Sequence, residues 1–275
     1  MPKTIVITGA SDGIGAAAAR RLTAGGHTVV VVGRSPAKTA AIAQETGSDH
    51  FTADFADLSD VRALASELVT RYPRIDVLAN NAGGVFGDPQ KTVDGFEKTL
   101  QVNHLAPFLL TNLLMPVLLA SDARVIQTSS NAARIAGRID LDDLQNDARL
   151  TPMKAYGDAK LANILFTTEL HRRFGVHGLT SAAFHPGTVA SGFGSETPSR
   201  LTHLMYDNRL VRRLISTPEQ GADQLVWLAT APVSEWVSGG YFEKRRVAAK
   251  SSPRARDGQF ARRHWEASAA LVGLQ

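Results

Sequence analysis

The chain of 275 residues contains no cysteine. Disulfide bonds are excluded, and the composition is compatible with any redox compartment. A long apolar run is also missing. The longest, Leu105 to Leu119, is broken by Pro107, Thr111, Asn112 and Pro116, and is too short to span a bilayer. No signal peptide or anchor precedes the first apolar strand near residue 4, so a cytoplasmic protein without a membrane anchor is expected. Histidines and carboxylates do not cluster at metal-ligand spacing, and no metal is assigned. There is no solenoid repeat, low-complexity tract or Pro/Gly/Ser linker, so residues 1–275 are expected to form one domain with a full core.

Charge is modest overall but uneven. The net charge is +4, yet residues 243–264 carry eight Lys/Arg and two Asp/Glu, leaving the rest of the chain slightly acidic. A basic segment can address nucleic acid or an anionic membrane surface. Aromatic interleaving is thin here (Phe260, Trp265) and no nucleic-acid motif is present, so the segment reads as a solvated face and no nucleic-acid partner is expected.

Apolar strands alternate with helical stretches throughout. Strands are expected near 4–8, 28–32, 49–53, 75–79, 124–128, 179–184 and 239–242. This predicts an α/β, doubly wound parallel sheet of about seven strands with helices on both faces. After the first strand comes T-G-x-x-x-G-x-G, with Gly9, Gly13 and Gly15 around Ser11, Asp12 and Ile14, and then an Ala-rich helical stretch. Such a turn lets the backbone approach a pyrophosphate, which the N–H groups at the helix start would bind. NAD-preferring folds carry an acidic residue at the end of the second strand. Gly33 stands there and Arg34 follows. A guanidinium suits a 2′-phosphate, so NADP(H) is favoured over NAD(H).

Tyr156 and Lys160 stand four apart in a helical segment, on one face. A cation beside a phenol favours the phenolate and makes the hydroxyl a better acid near neutral pH.

These features together resemble a short-chain dehydrogenase/reductase. The matching stretches are Thr8-Gly-Ala-Ser-Asp-Gly-Ile-Gly15, Asp54-Phe55, Asn80-Asn81-Ala82-Gly83, Asn103, Ser129-Ser130, Tyr156 with Lys160, and Pro186-Gly187. Val102 to Leu114, Lys160 to Leu170, His185 to Val189, and Ser252 to Arg256 with Trp265 resemble the retinol-dehydrogenase-like branch, to which WW-domain oxidoreductases are related. The resemblance implies a Rossmann-like fold and an oxidoreductase moving a hydride between NADP(H) and an alcohol/carbonyl pair. Tyr156 would exchange the proton with the substrate oxygen. Lys160 would lower the phenol pKa and hold the nicotinamide ribose, Ser130 would polarise the carbonyl, and Asn103 would hold a relay water. Asp54 and Phe55 would face the adenine, Asn81 with Ala82 and Gly83 its ribose side, and Pro186, Gly187, Thr188 and Val189 would border the nicotinamide.

From Ser130 to Tyr156 is 26 positions, about twice the common family spacing, and the extra stretch 138–151 reads as a loop at the rim of the substrate cleft. Residues 186–217 carry Leu201, Leu204, Met205, Tyr206, Leu210 and Leu214, which suit either a lid over a lipophilic substrate or a helical pair packed on the body. A homodimer or homotetramer is plausible, since family members pair through the helix bearing the Tyr and Lys. Other readings on the same fold are an enoyl reductase, epimerase or dehydratase, or a non-catalytic NADP(H)-sensing regulator.

Overall fold

The structure is a computed structural model, and it describes residues 1–87, 90–148, 150–187, 216–249 and 251–274. Thr188, Val189, Arg149 and the apolar residues of the expected lid lie outside the described residues.

Eight strands form one sheet: β1 Thr4–Thr8, β2 Thr28–Gly33, β3 Asp49–Thr52, β4 Val77–Asn80, β5 Arg124–Thr128, β6 Thr180–His185, β7 Gly240–Glu243 and β8 Arg246–Val247. Their order is β3-β2-β1-β4-β5-β6-β7-β8. Pairing is parallel from β3 to β7, and β8 joins antiparallel. The seven expected strands are present, each within two residues of its expected ends. The eighth differs from expectation. It is a two-residue return strand reached through Lys244 and Arg245, both at left-handed φ (50° and 60°), and its short basic sequence carries no strand signature.

The helices are α1 Gly13–Ala24, α2 Pro36–Thr46, α3 Leu58–Arg71, α4 Lys98–Leu100, α5 Ala106–Leu113, α6 Met115–Ala120, α7 Ala132–Ile135, α8 Pro152–Phe174, α9 Pro218–Thr230 and α10 Gly258–Leu271. They explain why the central strands are β-branched on both sides: each sheet face is covered. Ile5 and Ile7 meet Leu22 of α1 and Leu225 and Leu228 of α9 on one face. Val6 and Val30 meet Leu64 and Leu68 of α3, Leu109 of α5 and Phe166 of α8 on the other. Between β1 and β4 the chain reverses its direction of winding, so the turns after these strands diverge and open a crevice at their carboxyl ends.

Candidate active site

The crevice begins at the turn after β1. Asp12 caps α1, its Oδ1 accepting from Gly13 N at 2.7 Å. The turn is tied to the one after β4. Thr8 Oγ1 accepts from the main-chain N–H groups of Asn81 and Ala82, each at 3.0 Å. Asn81 Nδ2 donates to Thr8 O (3.1 Å) and Gly9 O (3.3 Å), and its Oδ1 accepts from Thr128 Oγ1 (3.2 Å). The Asn81 amide joins the ends of β1, β4 and β5. Phe55 lies next to this corner of the crevice. Its ring is buried in the main core with Leu58 and Leu100, where its apolar surface is better placed than against a solvated purine. The Asp54 carboxylate stays at the surface of this corner and accepts from Ala56 N at 2.9 Å. One residue was missed by the sequence reading. Lys38, in the first turn of α2, brings its Nζ to 3.1 Å from Asp12 Oδ2, beside the corner that holds Gly33 and Arg34. It stands four positions after Arg34, a signal available in the sequence.

Beyond β5, α8 delivers Tyr156 and Lys160. Thr151 caps this helix by accepting from Lys154 N, and Pro152 starts it. The adjacent serines are sorted by their bonds. Ser129 Oγ is buried and donates to Lys160 O at 2.7 Å, an anchor for the helix. Ser130 Oγ accepts from Ala132 N at 3.2 Å and hydrogen-bonds the Tyr156 hydroxyl. Lys160 Nζ donates to Thr128 O at 3.2 Å and lies 5.4 Å from the centroid of the Tyr156 ring.

Electrostatics here depart from expectation. Burial pushes the Tyr156 phenol above its ordinary range, opposed only by the Ser130 hydrogen bond. Burial also brings Lys160 down to about 7. Desolvation therefore dominates at both members of the pair.

Asn103 lies in a π-helical turn, Gln101–Leu105, where Ala106 N bonds Gln101 O across five residues. Its side chain is filled. Nδ2 donates to Gly84 O and Thr99 O, both at 2.9 Å, and Oδ1 accepts from Gly84 N at 3.1 Å. Asn103 thereby fixes the turn after β4, and its Oδ1 keeps a second lone pair. A side chain at Gly83 would put its Cβ 2.3 Å from Asn103 Oδ1 and 3.1 Å from Lys160 Nζ, so glycine is required for this approach.

The stretch 138–148 is a loop, as expected, and it is pinned to α8. Asp158, buried, accepts from Arg138 N and from Lys154 Nζ (2.7 Å), and Lys154 also bonds Asn146. Leu141 and Leu144 pack on the core. Asp158→Asn is expected to lower stability by about 1–3 kcal/mol, because it removes the charge from a buried, hydrogen-bonded group; equilibrium urea unfolding reads it.

Set against known proteins, the chain matches the short chain dehydrogenase family profile over residues 3–201. It is 45% identical over 278 residues to DnrU of Streptomyces sp. (strain C5), to which a daunorubicin C-13 ketoreductase role is ascribed, covering 98% of this chain and 93% of that one. It is 38% identical over 283 residues to human retinol dehydrogenase 13, covering 99% and 85%. Among solved structures, an uncharacterised Mycobacterium paratuberculosis protein superposes with TM-score 0.80 at 33% identity, covering 99% of this chain and 94% of that one. A Shigella flexneri 2a short chain dehydrogenase complexed with NADP superposes with TM-score 0.67 at 27% identity, covering 87% and 95%. The chain belongs to the short-chain dehydrogenases, oxidoreductases that use a nicotinamide cofactor. Within them it falls in the retinol-dehydrogenase-like branch.

Proposed function

We propose that the chain is an NADP(H)-dependent carbonyl reductase/alcohol dehydrogenase acting on a bulky lipophilic ketone, aldehyde or the matching alcohol. One observation carries this reading: Ser130 and Lys160 converge on Tyr156 at the carboxyl ends of the strands, beside the crevice of the β1 turn. The residues there fit a dinucleotide, since the first turn of α1 and its dipole suit a pyrophosphate. Bound nicotinamide would supply or accept the hydride. The raised Tyr156 keeps its proton at neutral pH and gives it to the carbonyl oxygen during reduction. Ser130 Oγ accepts from Ala132 N and donates to Asn131 Oδ1 at 3.4 Å, a long bond that its O–H would leave to donate to the same oxygen. Lys160 stabilises the phenolate that develops and would bond the ribose. A ketone substrate is supported by the role ascribed to DnrU, and a lipophilic one by the name of the retinol dehydrogenase.

The cofactor preference rests on the end of β2. A Cβ at Gly33 would stand 2.4 Å from Thr39 Oγ1 and 2.7 Å from Ser11 Cβ, so an acidic side chain has no room there. Arg34 and Lys38 supply positive charge at that corner, and Lys38 can leave its exposed pairing with Asp12 for a 2′-phosphate. Arg34→Ala and Lys38→Ala are each expected to raise KM for NADPH roughly tenfold, about the worth of one charge-assisted bond, and to leave KM for NADH unchanged. Equal effects on both cofactors would refute the assignment.

No helix among the described residues is long and apolar enough to cross a membrane, in keeping with a cytoplasmic enzyme. The expected pairing through α8 is disfavoured by α10, whose Trp265 packs 4.9 Å from Phe108 and 5.3 Å from Phe166 and covers that face. A monomer is the reading this supports. The functional test is a panel of lipophilic ketones, aldehydes and alcohols followed by NADPH absorbance. Absence of turnover across the panel would overturn it.

A further inference from the structure

The π-helical turn leaves a problem in the backbone. An ordinary helix would satisfy Asn103 O with the N–H of residue 107, but Pro107 has none. This carbonyl accepts from Asn163 of α8, whose Nδ2 donates to Asn103 O at 3.1 Å and also to Thr128 O at 3.3 Å. Thr128 O is the same oxygen that accepts from Lys160 Nζ at 3.2 Å. One side-chain amide therefore fixes two main-chain carbonyls of the site, and one of them aims the lysine.

The amide is itself oriented from further out. With Nδ2 donating to two carbonyls, Asn163 Oδ1 faces His104 Nδ1 at 3.3 Å. His104 must then carry its proton on Nδ1 and accept at Nε2. The group at Nε2 is Ser268 Oγ of α10, at 2.9 Å, which donates. His104, Asn163 and Ser268 are all 2% exposed or less. The path from Ser268 through His104 and Asn163 to the two carbonyls is consistent at every bond, and reversing any member would set donor against donor or acceptor against acceptor. None of these three side chains has a part in the chemistry derived above.

We infer that α10 is a positioning element of the active site: Ser268 holds His104 in one tautomer, His104 orients the Asn163 amide, and Asn163 sets the carbonyls of Asn103 and Thr128 and so the aim of Lys160. The inference rests on the proposed roles of Tyr156 and Lys160. The Ser268→Ala change removes one hydroxyl from a packed helix. It loosens the amide, Thr128 O turns from Lys160, and the ammonium loses a bond that favours its charged form. A misaimed lysine lowers the rate without removing any reacting group.

The test compares Ser268→Ala with Trp265→Phe, which weakens the packing of the same helix and removes no hydrogen bond of the path. Ser268→Ala is expected to lower kcat about tenfold with KM for the carbonyl substrate unchanged. It should also move the alkaline limb of NADPH binding, followed by fluorescence, to lower pH. Trp265→Phe should lower Tm but keep the wild-type kcat and binding profile. His104→Asn, which can donate from the position of Nδ1, should retain more kcat than His104→Gln, which cannot. NADPH binding requires no turnover, so its pH profile is read even if no carbonyl is reduced, and the functional reading fails separately. Identical binding profiles and rates for Ser268→Ala and Trp265→Phe would overturn the inference.

Discussion

Tyr156→Phe is expected to lower kcat for carbonyl reduction by about 10²–10⁴-fold, the usual contribution of a positioned general acid. The change removes one oxygen. The hydroxyl's bond to Ser130 is lost, and the ring keeps its place against α8 and beneath Lys160. NADPH affinity and Tm should therefore stay near wild-type values, which separates lost chemistry from lost structure. The pH dependence carries further information. Burial holds the phenol protonated through the neutral range, so wild-type reduction should fall only on the alkaline side. The oxidation direction needs the phenolate and should rise with pH over the same range. Lys160, brought down to about 7, loses its charge earlier and sets the lower edge of that alkaline change. Retention of most of the activity by Tyr156→Phe, measured with the ketone giving the highest wild-type rate, would remove the proton-transfer role.

Much of this site was legible in the sequence because it depends on local rules. β1 and β2 are β-branched runs buried on both faces, and the glycine turn, the cap Asp12 and Pro152 at the start of α8 each act within a few residues. The four-residue spacing of Tyr156 and Lys160 is a property of one helix. What escaped depends on partners far apart in the chain. His104 meets Asn163 across 59 residues and Ser268 across 164. No periodicity announces such a pair, and each residue taken alone reads as an ordinary helix position. Asn81 and Phe55 show the converse. Both match family positions, but a motif records which residue is present and not where its valences go: the Asn81 amide bonds backbone, and Phe55 turns into the core. Asp158 binds the loop before α8 for a reason visible only once Arg138 N and Lys154 Nζ are seen to converge on it.

His104, with His264 of α10 beside it, carries the second large effect, on stability. His104 and His264 are buried with ring centroids 4.8 Å apart. Burial lowers His104 to about 4, and burial together with the His104 charge lowers His264 well below its ordinary value. Both rings are neutral in the folded protein, whereas in the unfolded chain they take a proton near pH 6.5. A folded-state pKa below the unfolded one means that the unfolded chain binds more protons as pH falls, so the stabilisation is complete above about 6.5 and is lost as pH falls toward 4. For His104 alone the loss over that window is about 3 kcal/mol, on the order of a third of a typical domain's total stability. His27 and His185 are lowered in the same direction by burial, so the whole-protein slope has several contributors and a variant must isolate the pair. His264→Leu does so. Its Nε2 has no hydrogen-bond partner among the described residues, so replacing the imidazole by an apolar group removes a buried unsatisfied atom and should leave neutral-pH stability unchanged or improved. Urea unfolding between pH 7.5 and 4.5 should then show a markedly shallower acid loss for His264→Leu than for wild type. Parallel curves for the two proteins would mean that the imidazole of His264 is already reachable by protons in the folded state, and the buried pair would no longer account for acid sensitivity.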